Sequence, residues 1–273
     1  MAGRDDAAGR AIKIWQFTDT HILAGPEARF LGVDSFASLN EVIDLALAGG
    51  GIPDLVLLTG DLSQDESADS YRRLAGAVSR VAAPVYALPG NHDRPELLME
   101  MLSALGGRFS CQREVVCGSW LVVLLDTSVS GRVEGWLGDG ELSRLDGCLA
   151  EHPEKHALVC LHHNPVPVGS EWVDRLGLTN ADQFLTVIDR HPNVRGLLWG
   201  HVHQEFAGRR GRAELLGTPS TCVQFKPQAS RFQIDGQAPG YRWLELNPDG
   251  GIRSAVSRLD HLPDGLTLDC PGY

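Results

Sequence analysis

At 273 residues the chain is long enough for one large domain or two small ones, with a sizeable core. Hydrophobic residues (43%) and charged residues (22%) stand in the balance of an ordinary soluble globular protein. A formal net charge of −11 argues against partners that want a basic surface, the nucleic-acid backbone and an anionic membrane.

Residues 1–10 are polar and Gly/Ala-rich, a flexible lead without the apolar stretch of an export signal. Residues 11–258 are expected to form a single domain and 259–273 a C-terminal tail. The pattern predicts a strand over 11–18, then a helix over 34–47 with Asp34 or Ser35 as N-cap and Gly49-Gly50-Gly51 as its stop. A buried strand is expected over 54–59, a helix over 67–80, a strand over 84–88 and a helix over 95–105 opened by a proline. Strands at 119–126, 157–161 and 194–199 alternate with helices at 139–152 and 181–190. Short strands are then expected at 212–216, 222–225, 231–234, 241–246 and 252–256, separated by Gly and Pro turns. This order is that of an α/β (α+β) domain with two sheets and helices outside. No apolar run approaches the length of a membrane span. The six cysteines are scattered without a C-x-x-C pair, as expected of reduced thiols in a cytoplasmic protein.

Five blocks follow strand ends: Asp19-Thr20-His21, Gly60-Asp61, Gly90-Asn91-His92-Asp93, His162-His163 and Gly200-His201-Val202-His203. Ligand sites in such folds gather beyond the carboxyl ends of the strands. Asp19 and His21, like His201 and His203, are spaced two apart, so both members of a pair can reach one ion. Asp61 is the natural carboxylate to bridge two ions, and Asn91 adds a neutral oxygen. Seven or eight O/N donors without a thiolate suit two divalent ions better than one structural zinc. Six of the ten histidines lie in the blocks; His152, His156, His191 and His261 are read as surface residues. Singly, a Gly-Asp is a turn and a His-x-His a coincidence. Asp126 is read as a loop cap, and Arg209-Arg210-Gly211-Arg212 as a solvated turn rather than a phosphate clamp.

The order Asp-x-His, Gly-Asp, Gly-Asn-His-Asp, His, Gly-His-x-His resembles the signature of the calcineurin-like metallophosphoesterases. That resemblance implies a four-layer α/β/β/α sandwich of two mixed sheets flanked by helices, with a dinuclear site. It places Asp19, His21, Asp61 and His203 on one metal and Asp61, Asn91, His162 and His201 on the other. His162 directly follows its strand and is preferred to His163. Two such ions would activate a hydroxide to attack phosphorus. His92 would then be the catalytic acid with Asp93 orienting its ring, and Asn91, His92 and His203 would border the substrate.

The segments 14–21 and 60–65, the run Leu216-Gly217-Thr218-Pro219-Ser220-Thr221-Cys222-Val223-Gln224-Phe225-Lys226-Pro227, and Ala238-Pro239-Gly240-Tyr241-Arg242 resemble the bacterial class III 3′,5′-cyclic AMP phosphodiesterases. The implied reaction is hydrolysis of cyclic AMP to 5′-AMP, lowering a second messenger. The implied cofactors are two divalent ions, iron or manganese before zinc, and the implied partner is a small cyclic nucleotide. A homodimer is compatible with these features. The run at 212–227 is read as a hairpin closing the second sheet, with Thr218, Ser220 and Gln224 as candidate nucleotide contacts. The alternatives are a broader phosphodiesterase of the same fold, acting on 2′,3′-cyclic nucleotides or other diesters, and a scaffold protein without catalysis.

Overall fold

The computed structural model describes residues 9–270. Its first half runs β1 (Ile12–Phe17), α1 (Ser35–Ala48), β2 (Leu55–Thr59), α2 (Ala68–Val78), β3 (Val85–Leu88), α3 (Pro95–Leu105) and β4 (Phe109–Ser110). It continues with β5 (Glu114–Cys117), β6 (Trp120–Leu124), α4 (Asp139–Glu151), β7 (His156–Cys160), α5 (Glu171–Asp174), α6 (Ala181–Arg190) and β8 (Val194–Trp199). The last strands are β9 (Phe206–Arg210), β10 (Ala213–Gly217), β11 (Gly240–Leu246) and β12 (Ile252–Arg258). One sheet has the order β12-β11-β1-β2-β3-β4 and the other β5-β6-β7-β8-β10-β9. The first is parallel from β1 to β4 with β11 and β12 antiparallel on one side, and the second has a parallel centre with an antiparallel strand at each edge, which makes both sheets mixed.

The central strands are apolar on both faces because both faces are covered. Ile14, Leu55, Leu57, Trp120, Val122, Leu158, Leu198 and Leu244 pack between the sheets. Val56, Leu58 and Phe17 turn outward to Leu39, Val42, Tyr71 and Leu74 of α1 and α2. On the far side Val123, Val159 and Leu197 meet Leu145, Leu149, Phe184 and Ile188 of α4 and α6. The result is the expected four-layer α/β/β/α sandwich. The first helix's N-cap is Asp34, one of the two residues read for it, accepting from Ala37 N; Ser67 caps α2, accepting from Ser70 N.

The second half of the chain departs from expectation in three ways. The last strands do not form one meander: β9 and β10 complete the second sheet, while β11 and β12 return to the first. Residues 222–225 and 231–234 are not strands. They are loop, joined by a single bridge between Phe225 and Ile234. Cys222, Val223 and Ile234 are buried in a local cluster with Phe30 and Val33, and Phe225 is buried in the core outside the second sheet. Residues 263–270 are not set apart as a tail. Leu266 and Cys270 pack on that cluster, and Thr267 N donates to Leu31 O. The lead at 1–8 lies outside the described residues.

Among the four histidines read as surface residues, His156 opens β7 and tilts against the Trp120 ring, and His191 bonds Asp146. Arg209 and Arg210 flank the β9–β10 turn and pair with Glu214 and Asp189, which matches a solvated turn. No helix among the described residues is long and apolar enough to cross a membrane.

Candidate metal centre

β1, β2, β3, β7 and β8 all deliver their following loops to one edge, and the five blocks meet there. Asp19, His21, Asp61, His201 and His203 all have φ between 44° and 64°. Left-handed backbone is costly for residues with a Cβ and concentrates at functional sites. It lets the chain turn at once after each strand, so the donors point inward. Gly200 permits a close approach: a Cβ there would sit 2.6 Å from Asp19 Oδ2 and closer still to Thr18 Oγ1. The His201 backbone N–H donates to both Asp19 oxygens, at 3.0 and 3.1 Å, which ties the two sheets together across the site.

Two donor groups form. In the first, His203 Nε2 lies 3.2 Å from His21 Nε2 and 3.3 Å from Asp19 Oδ1, and Asp61 Oδ2 lies 3.9 Å from His21 Nε2. In the second, Asn91 Oδ1 lies 3.2 Å from His162 Nε2 and 3.1 Å from His201 Nδ1, and Asp61 Oδ1 lies 3.3 Å from His162 Nε2. Asp61 thus divides its two oxygens between the groups.

Hydrogen bonding fixes the tautomers. His203 Nδ1 donates to Val223 O (2.6 Å), His162 Nδ1 to Thr59 O (2.8 Å) and His21 Nδ1 to Gln64 Oε1 (2.7 Å). In each neutral ring this leaves Nε2 as a bare lone pair. The Nε2 lone pairs of His21 and His203 therefore face each other beside two carboxylates, an arrangement that repels itself unless a cation lies between. The donor set fits divalent ions on that ground. Burial drives His21 down to about 3 and His201 well below its ordinary value, so these two rings are neutral as ligands must be. Burial also opposes charge on His162, but the Asp61 carboxylate lifts it to about 9. Asp61 itself is held well below the carboxylate range against its burial, chiefly by His162 and then His92.

His163 lies close enough to His162 and His201 to share an ion with them, but both of its ring nitrogens have protein partners. Its Nδ1 is bonded to Thr127 Oγ1 (2.7 Å) and its Nε2 donates to Val133 O (2.8 Å). Burial pushes this ring to about 3. His92 and Asn91 are half-buried at the open side, whereas the other donors are buried. The His92 backbone N–H donates to Asp61 Oδ1 (2.9 Å), and its ring stands edge-on to His21 at 5.2 Å.

Three expectations change here. Asp93 was to orient the His92 ring, but its carboxylate accepts from Gly90 N, Leu62 N, Ser63 N and Tyr71 Oη, tying the Asp61 loop to the Asn91 loop. Burial and the nearby Asp61 raise it to about 6. His203 was to border the substrate, but it is buried with Nδ1 bonded and Nε2 in the donor group. Thr218, Ser220 and Gln224 were candidate nucleotide contacts, but they brace the site from behind. Thr218 Oγ1 donates to Gln16 Oε1, Ser220 Oγ to Asp19 O (2.7 Å) and Gln224 Nε2 to Ser220 O (2.8 Å). Asp126 caps its loop as read, accepting from Ser128 N and Oγ. The sequence reading missed Gln64, although the motif segment at 60–65 contains it. It also missed Phe30, which no motif marks, and the role of Phe225, which lies in the run at 216–227; their rings lie parallel to His21 and His203.

The profile of the calcineurin-like phosphoesterase family matches residues 12–205. A Pseudomonas aeruginosa protein named 3′,5′-cyclic adenosine monophosphate phosphodiesterase CpdA is 42% identical over 267 residues, 98% of this chain and 97% of that one. The Escherichia coli (strain K12) protein of the same name is 41% identical over 254 residues, 92% of each chain. Among solved structures, a dimetal phosphatase from Danio rerio has the same fold. Its TM-score is 0.60 at 15% identity, covering 91% of this chain and 99% of that one.

Proposed function

The chain belongs to the calcineurin-like phosphoesterase family, and from that membership we propose that it hydrolyses 3′,5′-cyclic AMP to 5′-AMP, lowering the level of a second messenger. The observation that carries the reading is the divided Asp61 carboxylate, with three O/N donors on each side. The substrate rests on the CpdA relatives, whose likeness spans nearly the whole chain. Asp19, His21, Asp61 and His203 would hold one divalent ion, and Asp61, Asn91, His162 and His201 the other. The family resemblance points to iron or manganese, with zinc as the alternative; oxygen and nitrogen donors suit all three. Two such ions supply Lewis acidity and a nucleophile available at neutral pH.

The rest falls to the chain's own residues. His92, half-buried at the mouth, would face the phosphate. A ring N–H of His92 delivers the proton to the 3′ oxygen as the P–O3′ bond breaks. The backbone bond from His92 N to Asp61 Oδ1 fixes where that ring starts. Asp93 acts one step back, holding the Asp61 and Asn91 loops in register. Six free cysteines and an acidic surface fit a cytoplasmic enzyme with a small anionic substrate held by metal rather than by a basic surface.

The test is a turnover comparison on cyclic AMP, cyclic GMP, 2′,3′-cyclic AMP and a nitrophenyl diester. Cyclic AMP is expected to be the best substrate. Turnover no better than that of the nitrophenyl diester would sink the assignment and favour a broader phosphodiesterase. His92→Ala should keep both ions and lose roughly 10²- to 10⁴-fold in turnover.

A further inference from the structure

A hydrogen bond at Nδ1 aims the opposite lone pair of a histidine ring but leaves the ring free to rock about that axis. His21 and His203 each have a second restraint. The Phe30 ring lies 4.3 Å from His21 with an interplanar angle of 11°, and the Phe225 ring lies 3.9 Å from His203 at 9°. Both phenylalanines are buried. The other donor group is built differently: the ring neighbours of His162 and His201 are histidines, met at 50–82°. An imidazole that donates its lone pair to a cation takes on positive character, and the face of an aromatic ring favours that charge.

Phe30 sits at the base of a two-residue turn. Phe30 N donates to Val33 O and Val33 N to Phe30 O, both at 2.9 Å. Leu31 and Gly32 between them have φ of 52° and 88°. The far side of this turn is covered by the C-terminal segment. Thr267 N donates to Leu31 O at 3.2 Å. A Cβ on Gly32 would come within 2.9 Å of Thr267 Oγ1 and nearer still to Gly265 O. Leu266 and Cys270 join Phe30, Val33, Cys222, Val223 and Ile234 in one apolar cluster, and Val223 is the residue whose carbonyl anchors His203. Phe30 and the C-terminal segment thus lie behind one histidine of this donor group, while Phe225, packed on the Trp172 and Phe232 rings in the core of the second sheet, backs the other.

We propose that Phe30 and Phe225 are positioning residues that set the ring planes of His21 and His203 for a single divalent ion, and that residues 263–270 are the strap holding Phe30 in place. The proposal rests on the two-ion reading above and extends it to residues that touch neither metal nor substrate.

The test is a calorimetric titration of metal-stripped protein with manganese alone, so no substrate enters. Phe30→Leu and Phe225→Leu keep apolar bulk but remove the flat face. Each should weaken one of the two ions about three- to tenfold, the range expected for an aromatic stack, and leave the other unchanged. Gly32→Ala dislodges the strap without touching Phe30 and should weaken the same ion. Combined with Phe30→Leu it should add little. Val42→Ala, a core truncation in α1, is the comparison for general loss of stability and should bind both ions as the parent does. If Phe30→Leu fails to fold, Phe225→Leu and Gly32→Ala carry the same test. Parent-like affinity for both ions in all three variants, or equal weakening by Val42→Ala, overturns the proposal. A parent protein that takes up no manganese instead overturns the two-ion reading beneath it.

Discussion

Gly200→Ala tests the site at the point where its two sheets approach most closely. The added Cβ would lie 2.6 Å from Asp19 Oδ2, where ordinary contact begins at 3.4 Å. Asp19 must therefore retreat by 3.4 − 2.6 = 0.8 Å, or the His201 loop must give by the same amount. Metal–ligand distances tolerate about 0.2 Å, so the displacement is roughly four times what one ion can absorb. The same crowding should cost about 1–3 kcal/mol of stability, seen as a fall of roughly 2–12 °C in Tm for a domain of this size. Metal content after dialysis and a thermal melt read the two effects separately. The expected result is one ion lost and Tm lowered. Gly76→Ala is the matched control, because a Cβ there meets nothing within 4 Å. It should keep both ions and melt at or slightly above the parent. A Gly200→Ala protein with two ions and parent turnover would falsify the close approach from which the argument starts.

Asp61→Asn keeps the shape of the divided ligand and removes its charge. Manganese titration should show both ions weakened, each at least ~10-fold, and parent affinity at either one would refute the bridging role. His162→Gln should release one ion, whereas His163→Gln should retain two and lose only about 1–3 kcal/mol in a denaturant melt as Thr127 Oγ1 and Val133 O lose their partner. Loss of an ion in the His163 variant would reverse the choice between the two. Asp65 is held below the usual carboxylate range: its partial burial opposes this, but the Ala24 and Ser67 backbone N–H groups and the Ser67 hydroxyl overcome it. A depressed carboxylate stabilises the fold above its unfolded pKa, and the contribution is lost as pH falls through the folded value. Asp65→Asn should therefore lower Tm near pH 7, with the gap to the parent closing below about pH 4. A gap that does not shrink at all as pH falls below 4 would contradict this.

The donors were legible because the central strands are continuous apolar runs and every block begins where such a run stops. Val194–Trp199 followed by Gly-His-Val-His is the plainest case. What the sequence concealed has physical reasons. Cys222, Val223 and Phe225 read as a strand because they are apolar, yet Cys222 and Val223 fill a local cluster, and Phe225 backs a ligand ring from the second sheet's outer core. Phe206–Arg210 escaped notice because an edge strand with Gly and two arginines carries little apolar signal. Asp93 looked catalytic by its place next to His92, but its carboxylate is spent on three backbone N–H groups and a tyrosine hydroxyl. Phe30 and the strap behind it are joined only in three dimensions, more than 230 residues apart for the Leu31–Thr267 bond (267 − 31 = 236).

The bond from His201 N to Asp19 joins residues 182 positions apart. During synthesis at about 5–20 residues per second, Asp19 leaves the ribosome on the order of 10–40 s before His201. Throughout that interval the aspartates and asparagine of the first sheet exist without the imidazoles of the second. Neither donor group is complete, so a nascent chain has no high-affinity trap for an ion. A complete donor group therefore requires that the second sheet be made and docked on the first.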